Sequence, residues 1–214
     1  MDDKSVLRLS LDAKARVNIG PFDRGGRNRA LTETEDHDYN PKTVVTPYGI
    51  FLPELDELFL YFTSSKVTSD FIVDVLSDFW KSESWRFPEI KTLILNQDNG
   101  GENNSRRTQF MKRIVEFAHQ YRLNIRLAYY PPYHSKYNPI ERTWGILEKY
   151  WNGSILDEVE TALKFAQNMT THCPRKNRAA FFLLICRRSR VLVVIRLPDF
   201  FTCKTPGHGK ASTL

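Results

Sequence analysis

The sequence predicts an α/β domain: a mixed five-stranded sheet with helices on both faces. Three observations lead there. The amino-terminal run alternates apolar and polar residues as a half-buried strand does. A continuous apolar run around residue 94 suits a central strand covered on both faces. The segments between and after these carry apolar stripes at helical spacing.

In Val6–Asp12, residues Leu7, Leu9 and Leu11 fall on one face and Arg8, Ser10 and Asp12 on the other, so Asp12 closes the first strand on its polar face. Short strands are expected at Ala15–Ile19 and Leu58–Phe62, making the opening a meander. Between them, Gly20–Asp56 contains Gly25, Gly26, Pro41, Pro47, Pro53 and the charged run EDHD, which predicts a long inserted loop over 20–56. Thr68 or Ser69 can cap a helix carrying Ile72, Val75, Leu76 and Phe79 and ending near Pro88. Thr92–Asn96 supplies the central strand, and Asp98 follows at its carboxyl end. Ser105 is expected to open a second helix with Phe110, Ile114, Phe117 and Tyr121 on one face. A strand over Asn124–Tyr130 is then stopped by Pro131 and Pro132. Asn138 and Pro139 start a third helix with Ile140, Trp144, Leu147 and Trp151 on one stripe, and a fourth starts near Asp157 with Val159, Leu163 and Ala166. This is the element order of the ribonuclease H-like fold, although other α/β arrangements share so short a list.

A chain of 214 residues with 41% hydrophobic content can bury one ordinary core. No run approaches the roughly 18 apolar residues that cross a bilayer, and the start MDDKSVLRLS lacks the apolar stretch of a signal peptide. The expectation is a cytosolic protein without a membrane partner. Cys173, Cys186 and Cys203 form no CxxC pair and read as free thiols. The net charge of +6 is unevenly distributed: residues 175–214 hold 9 Lys and Arg against 1 acidic residue, whereas residues 1–174 hold 22 against 24. The chain is therefore divided into a core over 1–172 and a divergent basic tail over 173–214, disordered or off-frame.

Asp98, in NQDNGGEN, stands where ligand sites form in open α/β sheets, at the carboxyl end of a strand, although Asp-Asn-Gly-Gly also reads as a plain turn. Glu141 sits at N3 behind Asn138 and Pro139, which reads equally as a capping box. It shares a helix face with Gly145, which would let that face approach the sheet, and with Glu148, a rival ligand two turns further on. Asp12 taken singly is an ordinary polar residue on an exposed strand face. Together the three match the needs of phosphoryl transfer on DNA, which two Mg²⁺ ions roughly 3.5–4 Å apart can assist with a few hard carboxylate ligands. Paired Asp98 and Glu141 could also suit glycoside hydrolysis, although no sugar-binding cleft is evident. In residues 127–148, aromatic residues alternate with His134, Lys136 and Arg142, a composition suited to stacking on a DNA strand and contacting its phosphates.

The block DNGGENNSRRTQF followed by LAYYPPYHSKYNPIERTWGILEKYWNG resembles the transposases of the ISAzo-thirteen group of bacterial insertion sequences. Upstream, LSLDAKARVNIGPFDRGGRNR, DHDYN, TPYGIF and SSKVTSDFIVDVL match the same pattern in order, so the resemblance spans about residues 6–170. The Pro-Tyr and Asn-Pro-Ile-Glu elements are more distantly similar to Tc/mariner-type transposases. The resemblance implies a DDE catalytic core of ribonuclease H-like fold in which Asp12, Asp98 and Glu141 hold a two-metal site of Mg²⁺, with Mn²⁺ as a substitute. It implies metal-dependent cleavage and strand transfer of an insertion sequence, with element ends and target DNA as partners and a homo-oligomer on DNA. Lys14, Tyr133, His134, Lys136, Asn138 and Arg142 are the expected DNA contacts. Relative to the family pattern, an amino-terminal DNA-binding region is absent, Gly101 stands for proline, Gln97 replaces an apolar residue, and the similarity stops after MTTHC. The second expectation is an inactive truncated remnant that binds DNA or a full-length transposase.

Overall fold

The computed structural model describes residues 4–25, 41, 43–130, 138–169, 180–182 and 191–197. β1 (Val6–Ala13) is followed by β2 (Val17–Ile19), β3 (Thr43–Leu52) and β4 (Glu57–Thr63). Helix α1 (Ser69–Glu83) runs into a short 3₁₀ turn at Ser84–Arg86 and leads to β5 (Thr92–Gln97). Then come α2 (Thr108–Tyr121), β6 (Asn124–Tyr129), α3 (Glu141–Trp151), α4 (Val159–Gln167), β7 (Ala180–Phe182) and β8 (Val191–Leu197). The sheet order is β6-β5-β1-β3-β4-β8-β7, with β2 paired to β3 beside that path. β1, β5 and β6 are mutually parallel neighbours, while β3, β4, β8 and β7 continue antiparallel.

Period-two alternation sorts the side chains into two cores. Leu7, Leu9 and Leu11 of β1 join Tyr48, Ile50, Phe59 and Tyr61 beneath α1 and α2. Phe51, Leu58, Leu60 and Phe62 face the other way and pack with Ile140, Trp144, Leu147 and Trp151 of the α3 segment and with Leu163 and Ala166 of α4. Helices thus cover both faces, as the sequence predicts, and α3 lies on the face to which Ser10 and Asp12 point. Thr68 caps α1 by accepting from the Phe71 N–H at 3.2 Å.

The structure corrects several expectations. The expected loop over 20–56 contains β3, a ten-residue strand at the centre of the sheet, so the strand count exceeds five. Pro47 and Gly49 are strand residues, not turn residues; Pro47 accepts from the Lys14 N–H at 2.9 Å through its carbonyl. Helix α2 begins at Thr108 with no side-chain cap, rather than at Ser105. Within the tail expected over 173–214, residues 180–182 and 191–197 are strands, and β8 lies antiparallel against β4 from Leu58↔Leu197 to Thr63↔Val191. Arg196 of β8 reaches Glu57 at 3.2 Å and Glu83 at 3.5 Å, the two carboxylates that Arg86 holds at 2.6 and 2.7 Å. Both carboxylates are buried, and two guanidinium groups satisfy them. The three cysteines lie outside the described residues. Among the described residues, no helix is long and apolar enough to cross a membrane.

Candidate active site

Asp12 stands near the end of β1, paired with Gly49 of β3 on one side. Its Oδ2 accepts a hydrogen bond from the indole Nε1–H of Trp144 at 2.7 Å. Burial pushes the Asp12 carboxyl up to about 6; the Trp144 bond works against that rise, and the negative charges of Asp98 and Glu141 add to it. Buried Tyr48 senses the same field: burial raises its phenol, and Asp12 and Asp98 push in the same direction.

Asp98 directly follows β5 and is exposed. Its Oδ1 accepts from Asn103 Nδ2 at 2.9 Å. Asn103 in turn orders the loop, because its carbonyl accepts from the Tyr129 hydroxyl at 2.8 Å and from Gln97 Nε2 at 3.4 Å. Glu141 opens α3, where the helix N-terminus favours its negative charge. Among the described residues no three His, Cys, Asp or Glu side chains are arranged to hold a metal ion. The residue types nonetheless suit one, since all three groups offer hard carboxylate oxygens.

Other expectations change. Asn138 is not a side-chain helix cap: it is 2% exposed, its Nδ2 donates to the Leu11 carbonyl at 3.2 Å, and its Oδ1 accepts from the Ser10 hydroxyl. Glu148 is not a rival ligand, because Lys14 Nζ pairs with it at 2.5 Å. The Lys14 side chain is 11% exposed, and its cation holds Glu148. The close-approach glycine is Gly49, not Gly145: a Cβ on Gly145 would meet nothing within 4 Å, whereas one on Gly49 would press into Ile140 and lie 3.0 Å from the Trp144 ring. Arg142 is exposed beside Glu141. Tyr133, His134 and Lys136 lie outside the described residues. Sequence reasoning missed Ser10, Gly49, Asn103 and the polar role of Trp144. Ser10 and Gly49 did leave a signal, since Ser10 shares the polar face of β1 with Asp12 and an isolated glycine in a strand marks close approach.

Helices on both faces of a mixed sheet ordered β6-β5-β1-β3-β4-β8-β7 define an α/β domain of ribonuclease H-like fold, the class to which DDE transposases belong. The model of the Rhodopirellula transposase DDE domain matches residues 1–181, and the chain belongs to that family. Among solved structures the chain is similar to the Mos1 transposase paired-end complex with left transposon end, at a TM-score of 0.53 and 11% identity. That match covers 75% of this chain and 46% of the other. The Mos1 mariner paired end complex with Mn also matches, at a TM-score of 0.48 and 11% identity over 77% of this chain and 47% of that one. The chain thus spans about half the length of the transposase it matches, and at such identity the likeness concerns the fold. No curated protein matches the sequence.

Proposed function

We propose that this domain carries out metal-dependent phosphoryl transfer on DNA, the cleavage and strand transfer of an insertion sequence, with Asp12, Asp98 and Glu141 as the metal-holding carboxylates. The observation that carries this reading is the match of residues 1–181 to a transposase DDE domain, within which Asp12 is half-buried near the end of β1, Asp98 follows β5 and Glu141 opens α3. Two Mg²⁺ ions, or Mn²⁺ in their place, supply Lewis-acid assistance to both the attacking and the leaving oxygen when bound. The chain's own part is to hold three oxygen donors on rigid elements and to keep Asp12 oriented through Trp144. Arg142, exposed one residue from Glu141, together with Tyr133, His134 and Lys136, contacts the DNA strand. Element ends and target are the DNA partners, and a homo-oligomer on paired ends belongs to the same proposal.

The test uses a labelled duplex carrying the element end, incubated with the protein and Mg²⁺ or Mn²⁺, with nicking and joining followed on a gel. Products are expected with either metal, and none with EDTA or with Asp98→Asn. Joining that survives Asp98→Asn or the removal of divalent cations overturns the assignment.

A further inference from the structure

Asp12 lies near the end of β1 and Glu141 at the start of α3, two elements far apart in the chain, so something must fix one against the other. Three contacts do so. The Ser10 hydroxyl donates to Asn138 Oδ1 and accepts from the Ile140 N–H at 3.3 Å. Asn138 Nδ2 donates to the Leu11 carbonyl at 3.2 Å, and the Asn138 carbonyl accepts from the Glu141 N–H at 3.0 Å. Both side chains are sealed from solvent, Ser10 at 0% and Asn138 at 2% exposure, so these bonds have no competition from water. Gly49, the cross-strand partner of Asp12, leaves the space into which Ile140 and Trp144 settle.

We infer that Ser10 and Asn138 form a positioning clamp that sets the Asp12–Glu141 separation, with Gly49 as the seat that lets the α3 segment close down on β1. Neither clamp side chain touches the reacting atoms. Each bonds to the backbone or side chain next to a carboxylate ligand: Ser10 and Leu11 precede Asp12, and Asn138 and Ile140 precede Glu141. Partners that orient metal ligands in this manner typically change metal affinity 10–100-fold when removed. The choice of asparagine follows from the contacts, since one side chain must both donate to a carbonyl and accept from a hydroxyl; aspartate, leucine and alanine cannot do both.

The inference rests on the metal reading above, and the experiment separates the two. Mn²⁺ binding to the full chain is measured by calorimetry for the parent, Asn138→Ala, the milder Ser10→Ala and a control core variant beneath α1, Leu76→Ala. Both clamp variants are expected to weaken Mn²⁺ binding by about tenfold or more and to lower kcat for DNA nicking with KM for DNA unchanged. Leu76→Ala is expected to lower Tm as much or more while binding Mn²⁺ like the parent. Amide exchange at Ile140 is expected to accelerate in Ser10→Ala, which removes the acceptor of that N–H. Parent-like Mn²⁺ affinity in a folded Ser10→Ala or Asn138→Ala chain overturns the clamp alone. A parent chain that takes up no Mn²⁺ overturns the metal reading and the clamp together.

Discussion

Trp144 donates its indole N–H to Asp12 at 2.7 Å, joining the first turns of α3 to the end of β1. This is a charge-assisted bond, and it is the strongest influence opposing the rise of the Asp12 carboxyl to about 6. Trp144→Phe keeps most of the ring packing and deletes the donor. A hydrogen bond to a charged group contributes roughly 1.5–3 kcal/mol, so the ionisation profile of Asp12 in the metal-free protein, followed by NMR, is expected to move upward by about one unit or more. A profile that does not move shows that the ionisation of Asp12 is indifferent to Trp144.

Asp12 also sets a trade between chemistry and stability. Folding raises its carboxyl from 3.8 to about 6, so the native state holds this proton more tightly than the unfolded chain does. Above pH 6 the ionised group therefore destabilises the fold, by about 3 kcal/mol at 1.36 kcal/mol per unit. The penalty fades between pH 6 and pH 4 and is absent below that window. In EDTA, Asp12→Asn is expected to melt about 6–12 °C above the parent at pH 7.5 and to match it near pH 4. Equal melting temperatures at pH 7.5 contradict the burial of a charged Asp12.

Glu141 and Glu148 share a helix but not a role. Glu141→Gln is expected to lower nicking by at least the 10–100-fold typical of even the outer partners of a metal site. Glu148→Gln is expected to leave nicking within about threefold while costing about 1–3 kcal/mol in urea unfolding, because Lys14 loses its partner in a half-buried setting. A large activity loss from Glu148→Gln would restore it as a ligand.

The two glycines give opposite signs. Gly49→Ala forces Ile140 and the Trp144 ring apart and is expected to destabilise by about 1–3 kcal/mol. Gly145→Ala adds a methyl in open space within a helix and is expected to stabilise by about 0.5–1 kcal/mol. Chemical denaturation of the two variants checks both.

Local patterns carried much of this architecture. The alternation in β1, the apolar run in β5 and the stripes of α1 and α3 each show in the segment's own residues which face is buried, whatever buries it. The three carboxylates came from motifs rather than from periodicity. What stayed hidden depends on distant partners. β3 was masked because Pro47 and Gly49 look like breakers, yet Pro47 uses its carbonyl on Lys14 and Gly49 is bare so that α3 can seat. Asn138 sits where a capping residue belongs, and nothing local reveals that its side chain turns to β1, across 127 residues of chain. Lys14 and Arg142 look equally available in sequence, but only the first meets a carboxylate brought in by α3.

The pairing of β8 on β4 has a practical consequence for handling the domain. All seven residues of β4 are buried, and β8 occupies the outer row of its backbone donors and acceptors. A chain shortened to residue 181, where the family match stops, leaves that row open along an apolar strand, a template on which further chains can add. Such a fragment is expected to precipitate on overproduction even with its acidic trio intact. The stretch outside the family match thus acts as a solubility guard.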